Sequence, residues 1–225
     1  MVIEVYPQIY LNEIPLPKFQ LKAIHSYIVL SDQRNLIIDT GLNTEQGRAA
    51  IIQGIRELNV DLSKTDLMLT HMHPDHVGMA SFLQEQGAAV YMSQVDGELI
   101  NPVYSRTSKT PAAKLYEVLS AEKDFIPALD DEFGDNSTAN VVFYPVREGN
   151  TICVGDYVFE IIATPGHTPG HIGLYEKKHK LFFCGDHILE HINPSVMFWS
   201  YEQDMLGMYM NSLEKVRALD VDYLY

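Results

Sequence analysis

Residues 70–78 read "THMHPDHVG", directly at the end of the apolar run "DLMLT", and crowd three histidines and an aspartate into the six positions His71 to His76. Imidazole is costly to bury without a partner and forms helix poorly. A chain that ends an apolar strand on such a cluster must fold so that the cluster has something to hold. His71 and His73 are two apart, and on a strand or extended loop such residues project the same way, so both rings can converge on one point. Pro74 suits the first turn of a helix, where no intrahelical donor is needed. It turns Asp75 and His76 toward a second spot nearby. Borderline metals such as Zn²⁺ take imidazole nitrogen and carboxylate oxygen, and this segment supplies both.

Two later segments carry the same chemistry. "ATPGHTPGH" sets His167 in a Pro/Gly loop behind the strand "FEIIAT", where proline and glycine fix a backbone that can aim a ring inward. "LFFCGDH" places Asp186 at the end of the next strand pair. A carboxylate has two oxygens and can bridge two ions.

The surrounding elements alternate in type. "IEVYPQIYL", "HSYIVL" and "NLIIDTG" read as strands; Asn43 or Thr44 caps a helix bearing Ile51, Ile52, Ile55 and Leu58; "AAVYMS" is a further buried strand after a stop at Gly87. Residues 94–137 read as a helical insertion, with Thr110-Pro111 opening a helix, and as the place for substrate selection. Strands return with "NVVFYPV", with "TICV" and "YVFEIIAT" joined at Gly155-Asp156, and with "HIGLYE" and "KLFFC" paired across "KKHK". Ser200 and Gln203 suggest a capping box for a helix carrying Leu206, Tyr209, Leu213, Val216 and Leu219, and "VDYLY" begins a last strand. Strands, helices, strands, helix in that order imply sheets between helices with mixed pairing.

Composition excludes some roles. A net charge of −14 repels phosphate backbones, so nucleic acid is not expected as a partner, and RNA processing is disfavoured. No apolar run approaches the length of a membrane span, and "MVIEVYPQIY" lacks a basic and apolar leader, so no membrane and a cytoplasmic location are expected. Cys153 and Cys184 both sit in apolar strand-like contexts and are read as free thiols in a reducing compartment.

Together, His71-x-His73-x-Asp75-His76, the "TPGHTPGH" loop with His167, the "GD" of Asp186 and "NLIIDTG" with Asp39 resemble the metallo-β-lactamase superfamily, in its glyoxalase II-like branch, over essentially the whole chain. The resemblance implies an α+β fold: a four-layer αββα sandwich of two mixed sheets flanked by helices, one domain over 1–225, with the metal site at one sheet edge. It implies that His71, His73 and His167 hold a first ion, that Asp75 and His76 hold a second, and that Asp186 bridges both. Zinc is expected, as one or two ions, and iron or manganese fits the same ligands. The activity implied is hydrolysis of a small ester-like substrate, thioester before lactone, by metal-activated water that Asp75, as the catalytic residue, orients.

Members of that family usually add a last histidine in a turn after the final helix and strand, whereas here none follows His191. The expectation is therefore a piece of a longer protein, lacking the last strand and helix, with an underpopulated second ion and an edge that a swapped segment or a homodimer contact could cover. Two other functions compete. A mononuclear iron sulfur dioxygenase keeps the same histidines, and an inactive fragment would bind metal without turnover. A flavodiiron protein would carry glutamate where this chain has His73.

Remaining candidates are assigned bland roles. Asp39 fixes a ligand or loop by hydrogen bonding; His171 orients or is structural; His191 faces a pocket mouth or solvent. His25 is core or supports a ligand, His179 is exposed, Cys184 is a small buried hydrophobe, and Met197-Phe198-Trp199 is core packing.

Overall fold

The computed structural model describes residues 2–16, 21–100, 141–199 and 202–225. Ile28 and Val29, Ile37 and Ile38, Ile161 and Ile162, and Phe182 and Phe183 are adjacent pairs on strands, and all are buried. Neighbours on a strand point to opposite faces, so each sheet is apolar on both sides and must be covered on both.

The first sheet has seven strands in the order β1 (Val2–Tyr6), β2 (Ile9–Pro15), β3 (Ala23–Val29), β4 (Asn35–Ile38), β5 (Thr65–Met68), β6 (Ala89–Ser93) and β7 (Phe143–Val146). It is antiparallel from β1 to β4 and parallel from β4 to β7. The second has, among the described residues, five, in the order β12 (Tyr223–Leu224), β11 (Leu181–Phe183), β10 (Ile172–Glu176), β9 (Tyr157–Ala163) and β8 (Thr151–Val154), with β11 and β12 parallel and the other neighbours antiparallel. Three apolar cores separate four layers. One packs Ile28, Ile37, Leu67 and Val90 of the first sheet against helical Ile51, Val77 and Leu83. A second lies between the sheets, joining Val29, Ile38 and Met68 to Phe159, Leu174 and Phe183. A third joins Ile162, Phe182 and Cys184 to Val216 of the last helix. This is the expected αββα sandwich.

Helix α1 (Glu45–Glu57) is capped by Thr44, whose hydroxyl accepts from the Gly47 amide at 3.0 Å, which decides between the two capping candidates. Two short helices follow β5, α2 (Pro74–Val77) and α3 (Ala80–Glu85), and α4 (Gln94–Leu99) follows β6 directly. The rest of the expected insertion, with Thr110-Pro111, lies outside the described residues. Helix α5 (Met205–Arg217) starts later than a cap at Ser200 would allow: Asp204 is its N-cap and accepts from the Gly207 amide at 2.9 Å. Its buried positions include Met205, Ser212 and Val216, whereas Leu206, expected inward, is 62% exposed. Among the described residues no helix is long and apolar enough to cross a membrane.

Topology gathers the loops that matter. Parallel β4 and β5 end at the same edge. Strands β9 and β11 both run antiparallel to β10, so they point the same way and end together. Asp39, the segment from Thr70, the loop 164–171 and Asp186 all leave strand ends on this side.

Candidate metal centre

Strand β5, which carries Leu67 and Met68, leads on into Thr70 and His71, and Asp39 sits beside this segment just after β4. Asp39 has φ +57°, a left-handed conformation uncommon outside glycine but open to aspartate. In that pose it accepts three hydrogen bonds, from the Thr70 amide at 2.8 Å, the Thr70 hydroxyl at 2.7 Å and His76 Nδ1 at 2.8 Å. The expected supporting role of Asp39 is therefore visible as geometry. Gly185 has φ +50°, and a Cβ there would come within 2.8 Å of Thr70 Oγ1, so glycine lets the Asp186 turn close onto this strand end.

Two groups of potential ligands form, with their donor atoms within 4.8 Å of one another: His71, His73 and His167, and His71, His76 and Asp186. His73 Nδ1 lies 3.1 Å from His71 Nε2 and 2.8 Å from His167 Nε2. Ligand nitrogens about 2.0–2.1 Å from a tetrahedral zinc ion stand roughly 3.3 Å apart, so this spacing is close to a coordination shell. Contacts behind the rings set their tautomers. The Thr70 hydroxyl donates to Asp39, leaving its oxygen, 3.1 Å away, to accept from His71 Nδ1. His167 Nδ1 donates to the Ser195 carbonyl at 2.7 Å. Both Nε2 atoms then present lone pairs to His73, whose Nδ1 carries one proton at most. At least one pair of acceptors is left facing each other, an arrangement a cation relieves.

The second group differs in charge. Asp186 reaches toward both sides, with Oδ1 3.2 Å from His76 Nε2 and Oδ2 3.4 Å from His167 Nε2. Distance alone does not make the first contact a hydrogen bond: His76 Nε2 is buried and has no hydrogen-bond partner among the described residues. A buried orphan nitrogen aimed at a carboxylate suits a divalent ion. Asp75 joins neither group. Its Oδ2 is 3.8 Å from His76 Nε2, and the side chain is partly exposed.

Protonation follows these surroundings. Burial, then the rings of His76, His73, His171 and His167, hold His71 well below its ordinary value. Burial and His167 push His73 down to about 3, and burial lowers His167 as well. Burial would also lower His76, but Asp186, Asp39 and Asp75 hold it well above its ordinary value. Burial works against charge on Asp186, yet His76, His167 and His171 keep it well below the usual carboxylate range. Asp75 is raised, chiefly by burial.

His171 lies behind the groups, bonded through Nδ1 to the Thr164 hydroxyl at 2.8 Å, with Nε2 accepting from the Asp186 amide at 3.2 Å. His187 is buried beside Tyr209, with ring centroids 5.3 Å apart. Cys184 is buried and its thiol pushed up to about 12 by burial, while Cys153 is exposed; both are free. Three assignments change. His25 is exposed rather than core. His179 is only partly exposed, and its ring and amide bond buried Glu176 at 2.9 and 2.7 Å. Met197 is exposed, with Phe198 and Trp199 half-buried, so this loop is not core packing; its contribution is the Ser195 carbonyl. Sequence reasoning also missed Asp96, a fully buried carboxylate of α4 pushed up to about 6 by burial. A cavity of about 490 Å³ opens beside the centre, with Asp39, Thr70, His76 and Asp186 in its wall, Tyr27, Ile38, Phe183 and Ile188 as apolar lining, and His25 and His191 among its exposed residues.

The family pattern described as "Metallo-beta-lactamase superfamily" matches residues 21–225. A hydroxyacylglutathione hydrolase, GloC, of Haemophilus influenzae is 32% identical over 181 residues, covering 77% of this chain and 69% of that protein. An uncharacterised protein of Aquifex aeolicus is 30% identical over 162 residues, covering 70% of this chain and 63% of its own length. The chain thus spans about two thirds of the length of these relatives. Among solved structures, a metallo-beta-lactamase family protein from Thermus thermophilus superposes with a TM-score of 0.83 at 24% identity, over 98% of this chain and 73% of that one.

Proposed function

The chain belongs to the metallo-β-lactamase superfamily, and from that premise we propose that it is a metal-dependent hydrolase of small ester-like substrates, thioesters first and lactones second. One observation carries the reading: three imidazoles from two separate loops meet at 2.8 and 3.1 Å, with the Nδ1 protons of His71 and His167 turned away to Thr70 and Ser195. His71, His73 and His167 would hold one divalent ion, zinc in the first instance, and His76 with Asp186 would serve a second, Asp186 lying within reach of both sides. Such an ion, when bound, polarises a carbonyl and lowers the pKa of its water to about 7.

The chain's own groups supply the rest. Asp39 and the Ser195 carbonyl fix ring orientation, so the ligands need no rearrangement as charge develops. Asp75 stands beside the second group without being drawn into it, and burial makes it easier to protonate. That suits a carboxylate that orients the attacking water and takes its proton. The cavity next to Asp186 and His76 is of a size for a small molecule, and its apolar lining would receive an acyl group. The thioester preference rests on the Haemophilus relative, which bears the name of a hydrolase of hydroxyacylglutathione.

Elemental analysis of the purified protein, paired with thiol release from S-acylglutathione, tests this. Bound divalent metal with thioester hydrolysis that a chelator abolishes is the expected result. Metal-free protein, or bound iron with oxygen uptake on a persulfide and no thioester cleavage, overturns it, the latter in favour of the dioxygenase.

A further inference from the structure

The loop that carries His71 and His73 and the loop that carries His167 come from different sheets, and nothing in the sequence near either explains how they hold a common spacing. Between them lies Asp96, at the third position of α4, with no exposed surface. Its Oδ2 accepts from the amide of Met72, the residue between the two histidines, at 3.0 Å, and from the Thr168 hydroxyl, next to His167, at 2.6 Å. Its Oδ1 accepts from the Gly170 amide at 2.6 Å. The partners stand 24, 72 and 74 positions away in sequence. Gly170 is shaped to this contact, since a Cβ there would stand 2.4 Å from Ser93 Oγ and 2.5 Å from Asp96 Oδ1.

We propose that Asp96 is a positioning residue for the metal centre: one buried carboxylate ties the His71–His73 segment to the loop after His167 and so sets the distance between the two halves of the three-histidine group. The inference rests on the proposed metal site. Asp96 makes its bonds to the neighbours of the ligands rather than to the rings, through the amides of Met72 and Gly170 and the hydroxyl of Thr168. A carboxylate is required because every partner is a donor. Asparagine keeps the shape but sets an NH₂ group against an N–H or O–H whichever way it turns. The loops then separate or tilt, and the rings lose their common focus.

Titration of metal-free protein with cobalt(II), following visible absorption and competition with a chelator, tests this without any assay of activity. Asp96→Asn is expected to weaken cobalt binding by roughly 10- to 100-fold, the range for groups that orient ligands, and to change the shape of the cobalt spectrum. Thr168→Val removes one of the three bonds and should give a smaller shift in the same direction; it carries the test should Asp96→Asn not fold. Asp66→Asn is the control for lost stability alone. It removes a buried carboxylate at the far end of β5, where Asp66 pairs with Arg34, and should leave cobalt affinity and spectrum at wild-type values. Wild-type affinity and spectrum in Asp96→Asn, or equal losses in Asp66→Asn, overturn the positioning role while the metal reading stands. Wild-type protein that binds no cobalt overturns both.

Discussion

The two ligand groups share His71 and almost touch, yet they are built on opposite electrostatic plans. In the group of His71, His73 and His167, burial disfavours charge on all three rings, so each keeps a nitrogen lone pair. Across from it, burial works against charge on His76, but Asp186, Asp39 and Asp75 surround it and hold its pKa well above the ordinary value. A cation at the first group would meet little competition from protons, whereas at the second it would compete with a favoured proton. Burial is nearly the same for His71 and His76; the number of facing carboxylates is what differs. On the proposed metal reading, the three-histidine group is expected to load first and the second group to exchange a proton for its metal.

Removing a ring that serves only the first group is the most direct way to break the contrast. His73→Ala should abolish loading there and cut hydrolysis by more than the roughly 100-fold that loss of an orienting partner costs, read by metal content and thiol release together. Equal metal content in that variant would mean that the second group, rather than the first, is the tight one. Asp39→Asn is the next largest test, because Asn tolerates the left-handed backbone while weakening the grip on His76. About a 10- to 100-fold loss of affinity confined to the weaker ion is expected by calorimetry. A loss shared equally by both ions would show that Asp39 acts through Thr70 and His71 instead.

How far these two groups were legible in the sequence follows from how local each signal is. His71, His73 and His76 announce themselves because i and i+2 on an extended segment and a proline-led helical turn are short-range geometry. His167 and Asp186 are legible from Gly and Pro next to a strand end. Sheets between helices were readable from the order of strands and helices, and the four-layer sandwich from the resemblance. Asp96 was not, because its partners are amides and a hydroxyl brought in by tertiary folding, and a lone carboxylate in a helix normally faces water. The Ser195 carbonyl carries no side-chain signal at all. His25 was misread as core because the apolar run "SYIVL" begins right after it; pairing places it opposite Glu13, on exposed positions of β2 and β3.

A pH series sharpens the contrast by about tenfold per pH unit, the most that one exchanged proton can give. His76 has a pKa raised above its ordinary 6.5, so in metal-free protein its charge contributes stability in full below 6.5 and loses it as pH rises through the raised value. Metal needs the neutral ring, so affinity at the second group should climb over that same interval. With His73 near 3 and its two neighbours also lowered, affinity at the first group should stay nearly flat from pH 6 to 8. Calorimetry in buffers of different ionisation enthalpy should count close to one proton released for the second ion and close to none for the first. Proton release with the first ion would reverse the loading order.

The smallest effect expected belongs to His171, which neither group contains. Its ring is held by the Thr164 hydroxyl and in turn receives the Asp186 amide, so it positions the backbone of the one carboxylate that reaches toward both sides. Thr164→Val deletes the hydroxyl and leaves a buried ring nitrogen without its partner, at a cost of about 1–3 kcal/mol in unfolding free energy. Because the Asp186 turn is also pinned by Gly185 against Thr70, its displacement should be slight. A change within about threefold in affinity for either ion is expected, close to the tenths of a kcal/mol that separate independent sites. A larger loss at one ion would reveal which side Asp186 favours, and an equal, larger loss at both would show that Asp186 couples the two groups through its backbone as well as its oxygens.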